Sequence, residues 1–169
     1  VYEVESQDAD SVSFVLRQGG LTIQKQYRFS QDSYQFNLSI SVKNESGRTV
    51  EPRFTIQWPA HINPEQDFTE QSLVAYHDDD VERVMVNAVG IPGFFSRLTG
   101  GPEEGAATEY IGNNLWAGTD LKYFVSVILP DRTRTADVMF QPLIPGKIGA
   151  TVLFFSPVQL PSGQIIEHE

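Results

Sequence analysis

Three runs near the N-terminus alternate apolar and polar residues with a period of two: Val12-Ser13-Phe14-Val15-Leu16, Leu21-Thr22-Ile23-Gln24-Lys25-Gln26-Tyr27-Arg28-Phe29 and Tyr34-Gln35-Phe36-Asn37-Leu38-Ser39-Ile40-Ser41-Val42. Successive side chains of a strand point to opposite faces, so each run has one apolar and one wet face, as half-buried antiparallel strands do. Gln18-Gly19-Gly20 and Ser30-Gln31-Asp32-Ser33 separate the runs. Glycine supplies positive φ there, and Ser and Asp hydrogen-bond the local backbone, so consecutive hairpins are expected. Asn44-Glu45-Ser46-Gly47 closes the third strand in the same way. Arg53-Phe54-Thr55-Ile56-Gln57-Trp58 starts a further strand, which Pro59 is expected to stop because it has no N–H to donate.

Polar, proline-containing sequence follows Trp58 to about Gln71, and then Leu73-Val74-Ala75-Tyr76 and Val81-Glu82-Arg83-Val84-Met85-Val86 read as shorter strands. The acidic triplet Asp78-Asp79-Asp80 between them is expected in a hairpin turn. Periodicity fails and glycine is frequent in residues 90–112, which read as one long irregular loop. Lys122 to Leu129 is rich in β-branched and aromatic residues and nearly unbroken in apolar character, so it reads as a buried strand closed by Pro130. Ala136 to Gln141 and Gly149 to Phe155 are further strands, and no segment of 10 residues reads as an amphipathic helix. The chain is expected to be all-β, a two-sheet antiparallel β-sandwich, with residues 1–169 forming a single domain. No internal repeat points to a solenoid or propeller.

Charge narrows the partners. With 22 acidic against 12 basic residues the net charge is -10, a field that repels phosphate instead of exchanging counterions with it, so no nucleic acid is expected. Cysteine is absent, which removes disulfides, thiolate nucleophiles and Cys-based zinc sites. No run of about 18 apolar residues is present to span a bilayer. Val1-Tyr2-Glu3-Val4-Glu5 alternates from the first residue, as expected of a piece of a longer protein.

No constellation announces catalysis. His61, His77 and His168 fit no local metal-ligand spacing, and His77 with Asp78-Asp79-Asp80 lacks the glycine and terminal glutamate of an EF-hand loop. Glu103-Glu104 and Glu65, Asp67 and Glu70 offer carboxylate pairs for glycosidic chemistry, or solvated loop acids. There is no Gly-x-Ser-x-Gly, and Gly100-Gly101 lacks the Lys-Ser that would complete a phosphate loop. Trp58 and Trp116, with Tyr27, Tyr34, Tyr110 and Tyr123, form either core or a stacking platform for sugars or peptides. Phe94-Phe95-Ser96-Arg97-Leu98 is either a turn capping the core or an exposed contact, and Phe94, Phe95, Arg97 and Leu98 are the candidate partner-binding residues.

Two blocks carry a resemblance to a known family. Leu21 to Phe29 followed by Asp32-Ser33-Tyr34 and Val42-Lys43-Asn44-Glu45-Ser46-Gly47 looks like the strand, "Asp-x-Tyr" turn, strand and "Asn-x-Ser-Gly" turn of the large periplasmic domain of YidC-type membrane protein insertases of Gram-negative bacteria. Trp116-Ala117-Gly118 with Lys122-Tyr123-Phe124 and Ile128-Leu129-Pro130 is similar to the family's Trp-x-Gly, Lys-Tyr-Phe and Ile-Pro pattern. Phe154-Phe155-Ser156-Pro157 departs from the aromatic and Gly-Pro-Lys that the family tends to carry there. The resemblance implies a β-supersandwich similar to galactose-mutarotase-like and carbohydrate-binding folds, exposed to the periplasm as part of an inner-membrane protein. It also implies a non-enzymatic accessory role, with Sec translocon accessory subunits and nascent membrane proteins as partners. No cofactor, metal or catalytic residue is implied. The rival expectations are a carbohydrate-binding or mutarotase-like protein and an envelope adhesion or assembly module.

Overall fold

The computed structural model describes residues 1–61, 71–91, 106–121, 123–131 and 136–168, and none of these residues is helical. The strands are β1 (Glu3–Gln7), β2 (Ser11–Gln18), β3 (Leu21–Phe29), β4 (Phe36–Asn44), β5 (Thr55–His61), β6 (Ser72–His77), β7 (Asp80–Met85), β8 (Thr108–Leu121), β9 (Phe124–Ile128), β10 (Ala136–Ile144), β11 (Ile148–Phe155) and β12 (Ile165–His168). They make two antiparallel sheets, as the alternation requires. The chain divides into two compact units, one of Val1–Pro52 with Pro157–Glu169 and the other of Arg53–Ser156.

The first unit holds the sheet β1-β2-β3-β4-β12. Its register follows from the pattern: Val12 lies opposite Tyr27 and Tyr27 opposite Leu38, while Gln26 lies opposite Ser39. One face is therefore apolar and aromatic, and the other carries amides and hydroxyls. The Asn-x-Ser-Gly turn is a hydrogen-bonded knot around the fully buried Asn44. Asn44 Nδ2 donates to the carbonyls of Arg48 at 2.7 Å and Leu160 at 2.8 Å, and Oδ1 accepts from Ser46 N at 3.0 Å and Ser46 Oγ at 2.7 Å. Gly20, at φ 76°, packs against the same turn, because a Cβ there would come within 2.6 Å of Ser46 Cα. The C-terminal strand β12, unmarked by alternation in the sequence, returns to pair with β4, Ile166 opposite Val42.

The second unit holds the sheet β5-β11-β10-β8-β6-β7, with β9 attached to β8. Phe140, Leu73 and Leu153 are its largest fully buried apolar side chains, packed with Ala75, Ala117 and Ala136. The buried Thr151 Oγ1 in β11 donates 2.7 Å to the carbonyl of Gly118 in β8, although β10 separates these two strands in the sheet order. The sheet therefore curls over its core.

Several expectations change. Pro59 does not stop β5, which runs on to His61; among the described strands β5 is the sheet's edge and pairs with β11 alone, so a missing donor can be tolerated. The irregular segment expected to reach residue 112 gives way earlier, since β8 begins at Thr108 and β10 pairs with it from Phe140 opposite Thr108. The Lys122 to Leu129 segment is not a buried strand. Its strand β9 pairs, among the described strands, with β8 alone, and Phe124 and Val125 are 74% and 62% exposed. A continuous apolar run reads the same in sequence whether neighbouring strands flank it on both sides or on one.

Candidate functional site

The residues expected to bind a partner, Phe94, Phe95, Arg97 and Leu98, lie outside the described residues, as do Glu65, Asp67, Glu70, Glu103 and Glu104. Among the described residues, no group of three potential metal ligands gathers. His61 is exposed on β5 and His168 half-buried on β12, on separate strands.

His77 sits in a cluster of polar and aromatic side chains. It ends β6, followed by Asp78 and Asp79 at φ 45° and 68°, so the acidic triplet does make the hairpin turn, in the positive-φ conformation that matches the strand twist. His77 Nδ1 lies 3.1 Å from Asn114 Oδ1. Asn114 Nδ2 donates to the carbonyls of Tyr110 and Ala136, each at 2.9 Å, which leaves Oδ1 as an acceptor and makes His77 Nδ1 the donor. Nε2 faces Asp78 Oδ2 at 3.4 Å. The Tyr110 ring lies 5.5 Å from His77 and 5.1 Å from Phe140. Burial, with the nearby Glu82 carboxylate and its hydrogen bond, raises the Tyr110 hydroxyl above its ordinary pKa of 10.0, so the phenol stays neutral. With Nδ1 committed to Asn114, the cluster ties the β6–β7 hairpin to β8.

The aromatic residues divide by role. Trp116 packs on Tyr76 at 6.0 Å, and Tyr110 on Phe140, so both serve packing. Tyr27 belongs to a cluster on the apolar face of the first unit, with Phe14 at 6.0 Å and Phe36 at 6.1 Å, and Phe36 meets Phe29 at 5.7 Å. Lys25 Nζ lies 4.5 Å above the Tyr2 ring beside it, a cation–π contact. Tyr2, Phe14, Lys25, Tyr27 and Phe29 line an open hollow of about 450 Å³. Its walls are apolar rings with one cation, suited to apolar contact more than to proton transfer.

An exposed apolar segment belongs to the hairpin of β8 and β9. Tyr123, Phe124, Val125 and Leu129 all stand in solvent. Gly118 lets the two strands approach, because a Cβ on it would lie 2.0 Å from the Ser126 carbonyl oxygen and 2.7 Å from Val127 Cα. Trp116-Ala117-Gly118 is thus a packing motif: a ring on Tyr76, a fully buried methyl and a close backbone contact. In sequence the Lys122 to Leu129 segment reads as core. The absence of charge from Tyr123 to Pro130 was the available signal, and it is ambiguous alone.

No curated protein matches the chain. Among solved structures it is similar to a galactose mutarotase-like protein from Lactobacillus casei ATCC 334, at 11% identity and a TM-score of 0.65, covering 99% of this chain and 70% of that one. It is also similar to a candidate aldose 1-epimerase from Escherichia coli K12, at 10% identity and a TM-score of 0.53, covering 99% of this chain and 66% of that one. Identities this low establish a shared all-β fold and no shared activity. The family model described as the YidC periplasmic domain matches residues 2–168, essentially the whole chain, and the chain belongs to that family.

Proposed function

We propose that this chain is a non-enzymatic accessory domain of a YidC-like insertase, exposed to the periplasm and carried by an inner-membrane protein. It docks partners while the membrane-embedded part of that protein performs insertion. Family membership over residues 2–168 carries the reading. Exposed apolar side chains support docking, with Ile111, Leu115, Phe124, Val125 and Leu129 all standing in solvent. Sec translocon accessory subunits and nascent membrane proteins are the partners proposed. The test is recovery of those subunits with the intact membrane protein, compared with a version lacking residues 1–169. Recovery should fall when the domain is removed, and equal recovery would end the docking role.

The mutarotase-like fold keeps a sugar-binding alternative in view. Calorimetric titration with mono- and oligosaccharides decides it. A saturable signal lost in a folded Trp58→Ala protein would replace the accessory reading, whereas the accessory reading expects no heat beyond dilution.

A further inference from the structure

Strand edges are where a sheet can recruit another chain, because their outward N–H and C=O groups have no partner in the sheet. Proteins guard such edges with charge or proline. Among the described residues the first sheet ends in β1, which carries Glu3 and Glu5, and in β12, which carries Glu167 and His168. The second ends in β5, which carries Pro59 and His61, and in β7, which carries Asp80, Glu82 and Arg83. β9 is the exception. It pairs with β8 on one side and with no other described strand, and its sequence Phe124-Val125-Ser126-Val127-Ile128 carries neither charge nor proline. The uncharged stretch extends from Tyr123 to Pro130, in a chain with 34 charged residues, the sum of 12 basic and 22 acidic.

We propose that the outer edge of β9 is a docking site for an extended, uncharged apolar segment of another polypeptide, which joins the second sheet as an added strand. Main-chain hydrogen bonds would hold it, and the exposed Phe124, Val125 and Leu129 side chains would cover its apolar residues. Charge selects the occupant. An edge-to-edge pair of identical chains would bring two bodies of net charge -10 together, which opposes a second copy, whereas an uncharged segment meets no such repulsion. The inference rests on the accessory reading only for its setting and specifies the chemistry of a partner.

The probe is a fluorescent, end-capped heptapeptide of alternating valine and threonine, titrated into the chain and followed by anisotropy. Saturable binding is expected. Val125→Lys places on β9 the kind of charge that guards the other edges and should weaken binding about tenfold or more. Val125→Thr keeps the strand preference and should stay within about twofold of wild type. Hydrogen exchange on the wild-type chain covers the case of a variant that does not fold: peptide should slow exchange in residues 124–129. The proposal is overturned by absence of binding, by unchanged exchange there, or by binding that survives Val125→Lys in a folded chain. It is equally overturned by a peptide-independent dimer in sedimentation that Val125→Lys abolishes, which would put a second copy on the edge. Subunit recovery by the intact protein reads the accessory role and peptide binding reads the edge, so either can fail alone.

Discussion

Gly118 and Tyr110 show how single residues hold the second unit. At Gly118 the constraint is steric, since the nearest atoms to a built Cβ are the main-chain oxygen of Ser126 and Cα of Val127, which cannot rotate away. Gly118→Ala must push β9 from β8 or bend β8 away from Thr151, whose hydroxyl bonds the Gly118 carbonyl. A loss of about 3 kcal/mol is expected, the cost of overpacking against backbone, read as a lowered urea midpoint at constant slope. At Tyr110 the constraint is electrostatic. Burial first, and then the Glu82 carboxylate, favour the neutral phenol and raise its pKa above 10.0 in the folded chain. The folded state therefore holds this proton more tightly than the unfolded one. The resulting stability is fully present below pH 10 and is lost as pH rises toward the raised value. Tyr110→Phe should be less stable at neutral pH, by about 1 kcal/mol for the lost hydrogen bond, yet lose stability less steeply above pH 10. An alkaline limb as steep as wild type in denaturant titrations would assign that limb to other groups.

Among the elements, β3 and β9 mark what the sequence did and did not disclose. β3 spans Leu21–Phe29, the same bounds as the alternating run, because alternation and flanking turns report two independent constraints on one segment. The Asn44 turn was equally legible as a turn, although nothing local reveals that its amide grips Leu160, 116 residues away. β5 outran Pro59 because edge position is a property of the sheet and not of the strand. β9 reads as core in sequence because hydrophobicity records what a strand can bury, whereas burial depends on what the rest of the chain lays against it. The candidate residues Phe94, Phe95, Arg97 and Leu98 lie outside the described segments. The exposure of β9 yields a contrast. Phe124→Ser should cost under about 1 kcal/mol, as surface substitutions do, while Phe140→Ala in the core should cost about 4 kcal/mol. A Phe124→Ser protein that melts like the Phe140 variant would return β9 to the core.

For the whole molecule, the two ends of the chain build one unit, and the middle, Arg53–Ser156, builds the other. Pro157–Glu169 is the second piece of the first unit, and its contacts are concentrated on one turn. Leu160 accepts from Asn44 Nδ2 and exchanges both backbone bonds with Val50, at 3.0 and 2.8 Å. Asn44 N donates to Gln164 O at 3.0 Å, and Gly163 N donates to Asn44 O at 2.6 Å. Ile166, buried opposite Val42, completes the sheet. Removing residues 157–169 would leave the backbone and side chain of a buried asparagine short of partners, and each orphaned group costs about 1–3 kcal/mol. It would also turn β4 into an edge, with Val42 opened to water. The truncated chain should therefore exchange amide hydrogens much faster in β3 and β4 than the intact chain, with a smaller change in β10 and β11, whose ladder lies wholly within residues 136–155. Uniform acceleration across both sheets would show instead that the two units unfold as one cooperative body, with the C-terminal segment as its common fastening.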